Sequence, residues 1–113
     1  MRIIKNKITI NELKEMAAKM FGSMVKAVVD IKHEIMAVDG ELHADEEALL
    51  LENGAAQQDL WGINIYPGLE GSEQIEYDSM INLRPAQNNL SRGVDDPKIR
   101  EQINKIVNQL VHQ

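Results

Sequence analysis

Residues 40–54 read GELHADEEALLLENG, one histidine beside three carboxylates and ahead of a leucine run. On a helix that begins early, His43 points the same way as Glu46 or Glu47, because side chains three and four residues apart meet. Imidazole with carboxylate is half of a zinc or hard-metal site, and also an acid/base pair. Zinc usually takes at least three protein ligands, and the familiar helical motif supplies two histidines. This stretch holds one histidine, and no other residue declares itself as the missing ligand. Asp45, Glu46 and Glu47 equally suit the acidic first turn of a helix, where the macrodipole stabilises negative charge. The stretch therefore has three readings: a metal or acid/base site, a polar pocket, or an ordinary helix start.

A second candidate is the loop Asn82-Leu83-Arg84-Pro85-Ala86-Gln87-Asn88-Asn89-Leu90-Ser91-Arg92-Gly93. Its arginine forks match carboxylate or phosphate, and its amides can hold an anion. The spacing matches no Gly-rich phosphate motif. The plainer reading is a loop that satisfies its own polar groups. Arg84 or Arg92 can instead pair with Asp45, Glu46 or Glu47 and join the two segments. A third stretch, Asp59-Leu60-Trp61-Gly62-Ile63-Asn64, carries the one tryptophan. Trp61 suits a packing role, Gly62 marks a bulge or close approach, and a buried Asn64 would need partners. The candidate polar cluster is thus His43, Asp45, Glu46, Trp61, Asn64, Asn82, Arg84, Asn89 and Arg92. No residue declares a catalytic role. Ser23, Ser72, Ser79 and Ser91 sit in no Gly-x-Ser-x-Gly elbow. His33 falls in a turn, and His112 in a final helical turn where the dipole favours it.

Composition narrows the classes. A formal net charge of −6 and four aromatic residues argue against nucleic acid, which needs a basic surface and stacking platforms. The absence of cysteine excludes disulfides, thiol catalysis and thiolate zinc sites. MRIIKNKITI lacks a signal-peptide core, and no unbroken apolar run is longer than Ala48–Leu51. A cytoplasmic protein with no membrane partner and no cofactor is expected. At 113 residues the chain suits a single domain, 1–113, with an aliphatic core.

The elements that must position these residues follow from pattern. Ile3 and Ile4 suit a short strand. Thr9 and Glu12 form a capping box, and Ile10, Leu13, Met16, Ala17, Met20 and Phe21 follow helical spacing up to Gly22. Val25–Val38 fits a helix face as well as alternation, but its β-branched residues favour two strands, Lys26–Ile31 and Ile35–Val38. The connection Lys32-His33-Glu34 lacks the usual turn residues. Ala44–Glu52 reads as a helix ending at Asn53-Gly54. Leu60–Tyr66 and Gln74–Leu83 read as antiparallel strands, the second with Ile75, Tyr77, Ile81 and Leu83 on one face. Arg84–Asp95 is an irregular loop. Asp96-Pro97 starts a last helix whose buried face is Ile99, Ile103, Ile106, Val107, Leu110 and Val111. The fold class is α+β, a mostly antiparallel sheet of four to five strands with three helices on one face.

Three segments carry a resemblance: Gly40-Glu41-Leu42-His43-Ala44-Asp45-Glu46, Asp59-Leu60-Trp61-Gly62-Ile63-Asn64-Ile65-Tyr66-Pro67 and Ser79-Met80-Ile81-Asn82-Leu83-Arg84-Pro85. In that order they resemble a family of short uncharacterised prokaryotic proteins, a domain of unknown function. The resemblance covers nearly the whole chain and implies no activity. The chain departs from the pattern at Asp39 and Asn88, where glycine is expected, and at Ala55, where serine is. The expected function is a non-enzymatic binding or interaction module, with a second copy in a homodimer and an unknown small molecule or protein as candidate partners. The rival is a small metal-dependent or hydrolase-like enzyme using His43 with Asp45 or Glu46, supported by Arg84.

Overall fold

The computed structural model describes residues 1–113 and begins with β1 (Arg2–Ile4), β2 (Ile8–Thr9) and α1 (Ile10–Met20). Thr9 caps α1, its Oγ1 accepting from the Glu12 amide at 3.1 Å. The Glu12 carboxylate lies 3.8 Å from Arg2. Next come β3 (Val25–Asp30) and β4 (Ile35–Val38), the hairpin that β-branched alternation predicts. Its turn works without glycine because the buried Asp30 carboxylate accepts from the amides of Lys32 and His33, at 3.0 and 3.2 Å. The same side chain holds the His33 ring at 2.7 Å, and Glu34 closes the turn at φ +58°. Asp39 and Asn88, the two positions where the resemblance leads to an expectation of glycine, also lie in the left-handed region, at φ +68° and +60°. Asp and Asn tolerate it better than other side-chain-bearing residues.

The chain continues through α2 (His43–Glu52), β5 (Leu60–Ile65), β6 (Ile75–Glu76), α3 (Pro97–Leu110) and β7 (Val111–His112). Five of the strands form one antiparallel sheet in the order β1-β4-β3-β5-β6, and β2 and β7 pair separately. Asp96 caps α3, accepting from Lys98 at 2.9 Å ahead of Pro97. No helix is long and apolar enough to cross a membrane.

The helices do not share one face, which corrects the layering expected from the sequence. Successive strand residues point to opposite faces. Ala27, Val29, Met36, Val38, Trp61 and Ile63 pack with α1 and α3 through Leu13, Ile103, Ile106 and Val107. Val28, Ala37 and Leu60 pack on the other side with Leu50 of α2. Both faces of the central strands are apolar, so both need a cover. Two further differences are local. His112 lies beyond α3, in β7, which pairs in parallel with β2 through Ile8↔Val111 and Thr9↔His112. Residues 74–83 form a strand only at Ile75–Glu76, and Met80–Asn82 is a 3-10 turn capped by Ser79.

What replaces the rest of that strand is a side chain. β6 pairs with Asn64 and Ile65 only. One pair further along β5, the Asn82 carboxamide accepts from the Gly62 amide at 2.9 Å and donates to its carbonyl at 2.9 Å. Beyond it, the Arg84 guanidinium donates to Leu60 O. A backbone edge is thus closed by an amide that mimics a peptide and then by an arginine fork. Gly62 is required beneath Ser79, because a Cβ there would sit 2.5 Å from the Ser79 Cβ.

Asn82→Ala orphans two buried backbone groups at about 1–3 kcal/mol each, so it is expected to destabilise the protein by about 2–5 kcal/mol in urea unfolding. Glu34→Gly, which relieves a left-handed residue, should instead stabilise it by about 0.5–1 kcal/mol. A destabilised Glu34→Gly protein would mean that the Glu34 side chain contributes more than its backbone costs.

Candidate functional site

α2 begins at His43, and its N-cap residue is Leu42, which has no side-chain oxygen to accept from the first-turn amides. His43 is 9% exposed, with Nε2 2.7 Å from the Ile63 carbonyl. A carbonyl only accepts, so Nε2 carries the proton and Nδ1 is the acceptor nitrogen. Burial holds the His43 pKa below its ordinary value, and the nearby Lys26 charge adds to this. The imidazole is therefore neutral at pH 7, in a single tautomer.

His43 overlooks a row of polar side chains on one sheet face. Lys26 of β3 is opposite Asn64 of β5, which is opposite Glu76 of β6. Directly opposed residues share a face, so the row runs cation, amide, carboxylate. Asn64 donates through Nδ2 to Glu76 Oε1 at 2.8 Å and to Asp78 O at 3.5 Å. Both are acceptors, which fixes the amide's orientation and leaves Oδ1 buried without a partner. Asn64 is 6% exposed. Arg92 pairs with Asp78 at 2.8 Å. Lys26 makes no ion pair, and its ammonium lies 5.0 Å from the Phe21 ring. Lys26, His43, Asn64, Glu76, Asp78 and Arg92 line a cleft of about 440 Å³. Leu42 and Met80, 54% and 63% exposed, stand at its apolar margin.

The acidic residues beside His43 go elsewhere. Asp45 is exposed. Glu46 is fully buried, accepts from the Gly40 amide at 2.9 Å, and has no partner for Oε1. Burial pushes its pKa up to about 9, so it is protonated at pH 7. Gly40 is needed for this clasp, since a Cβ would fall 2.7 Å from Glu46 Cγ. No three His, Asp or Glu side chains converge in a way that could hold a metal ion.

Asn82, Arg84 and Asn89 build the frame. Asn89 donates to the carbonyls of Asn82, Gly93 and Ser91, at 2.7, 2.8 and 3.2 Å, and accepts from Asp95 N at 2.8 Å. Arg84 holds Gln57 O and Leu60 O and lies 4.3 Å from the Trp61 ring. Burial lowers the Arg84 pKa, and the Glu47 charge opposes this without an ion pair. Trp61 belongs to the core on the opposite face of the sheet. Of the sequence candidates, the cleft brings together His43, Asn64 and Arg92. Sequence reasoning missed Lys26, Glu76 and Asp78. For Lys26 and Glu76 the available signal was a polar residue within a strand, but joining them needed the strand order.

The family model "Protein of unknown function (DUF5674)" matches residues 2–110. No curated protein and no solved structure matches the chain.

The Glu46 proton has a measurable consequence. The folded pKa of about 9 lies above the ordinary 4.5, so the folded state keeps a proton that the unfolded state releases. The Glu46 contribution is most favourable below pH 4.5 and declines as pH rises towards 9. Glu46→Gln should therefore match the parent at the acid end and become progressively more stable than it towards pH 9. Urea unfolding of both proteins across this range checks it, and parallel curves would show that Glu46 is ionised in the fold.

Proposed function

The chain belongs to the DUF5674 family, and from that premise we propose that it is a non-enzymatic binding module for a small polar molecule. The observation that carries this reading is Asn64 Oδ1, a buried acceptor with no partner in a residue that lines the cleft. Buried polar atoms are normally satisfied, and one left open beside a cavity suits a ligand donor. The neutral His43 Nδ1 supplies a second acceptor, and Leu42 and Met80 offer apolar cover. His43 also supports a second reading, in which Nδ1 acts as a general base on the bound molecule.

An aqueous small-molecule extract of bacterial cells, added to the ¹⁵N-labelled protein, should shift the amides of His43 and Ala44 and the Asn64 side-chain amide. A mixture that leaves these resonances in place, or moves only distant ones, overturns the assignment of the cleft. Recovery of the bound molecule unchanged supports a binding module. Its conversion, lost in His43→Gln, supports the general base.

A further inference from the structure

We propose that the ligand of this cleft is a small zwitterion carrying a carboxylate and an N–H-bearing ammonium, the chemistry of a free amino acid. This rests on the cleft being a binding site and adds the class of molecule. The row Lys26–Asn64–Glu76 spans two strand spacings, about 10 Å between backbones, with opposite charges at its ends. At the Lys26 end the ammonium has no carboxylate partner. The first amides of α2, at His43 and Ala44, lack a side-chain acceptor on the same cleft. A ligand carboxylate there meets a free cation and the positive end of a helix dipole. Further along the row, Asn64 Oδ1 lacks a donor, its Nδ2 being turned to Glu76 Oε1 and Asp78 O, and the Glu76 carboxylate adds negative charge. An ammonium satisfies both.

Charge balance points the same way. Lys26 and Arg92 offset Glu76 and Asp78, and His43 is neutral, so the cleft carries no net charge to favour a simple anion. Lys26 does not supply the missing donor itself: Asn64 Oδ1 has no partner although the two residues are directly opposed.

The test titrates the full-length ¹⁵N-labelled protein with the individual protein amino acids. Each is paired with the matched acid lacking the ammonium and the matched amine lacking the carboxylate, and inorganic phosphate is run alongside. At least one amino acid is expected to shift the His43, Ala44 and Asn64 resonances with an affinity about tenfold or more above that of either half-molecule. Lys26→Met, a change at a half-buried position, should keep the fold and weaken that binding by about tenfold or more. Equal binding by a matched acid or by phosphate overturns the zwitterion while leaving the cleft a binding site. Undiminished binding by Lys26→Met also overturns it. If the cell extract shifts these resonances and no amino acid does, the zwitterion class alone fails. If neither does, the cleft itself is not a site.

Discussion

The contact on which most of this structure depends is the pair of hydrogen bonds between the Asn82 carboxamide and the backbone of Gly62. β5 is central to the core, yet β6 covers only Asn64 and Ile65 on its outer edge. An uncovered edge would leave buried peptide groups unpaired and open to another chain. One side-chain amide solves this with a peptide's own donor and acceptor. It also lets the chain leave the sheet after Glu76, so that Asp78, Ser79 and Met80 form a wall of the cleft. The Asn82 side chain also donates to Arg92 O, and Ser79 N donates to that same carbonyl, so one tie closes the edge and the base of the loop.

The loop from Asn82 to Asp95 is polar because it has little apolar surface with which to hold its shape. Asn89 takes the place of a core, bonding four backbone groups around itself. Arg84 does comparable work at the surface, joining the loop to Gln57, Leu60 and the Trp61 ring. Residues with the chemistry to bind an anion are thereby committed to the chain's own carbonyls. Arg92 and Asn64 differ, since both border the cleft and Asn64 keeps an open acceptor.

The stretch GELHADEE divides in a similar way. Gly40 and Glu46 clasp each other inside the protein, and the protonated carboxyl accepts a backbone hydrogen bond. Asp45 faces solvent at the start of α2. Of its ionisable residues His43 alone lines the cleft, held by Ile63 O through Nε2. A histidine and carboxylates three residues apart suggest a joint site. Here they lie on different sides of a helix start and serve different ends.

Local chemistry was legible in the sequence. Thr9 and Asp96 cap their helices, the β-branched run at 25–38 forms a hairpin, and the periodic face of α3 is buried, because each depends on neighbours a few residues away. Asp39 and Asn88, where the resemblance suggested glycine, both take the left-handed conformation that glycine favours. The early end of the strand expected over 74–83 was not legible, since it depends on the Asn82 side chain pairing with Gly62, 20 residues away. Nor was the second covered face, which depends on how two apolar strand faces find different helices. The cleft belongs to this second kind. Lys26, Asn64 and Glu76 are unremarkable residues in three separate strands, and only the strand order puts them in one row. The sequence by itself determined the helices, most of the strands and the polar side chains available. The tertiary structure decided which of those side chains are spent on the backbone and which remain open, because that depends on long-range pairing and burial.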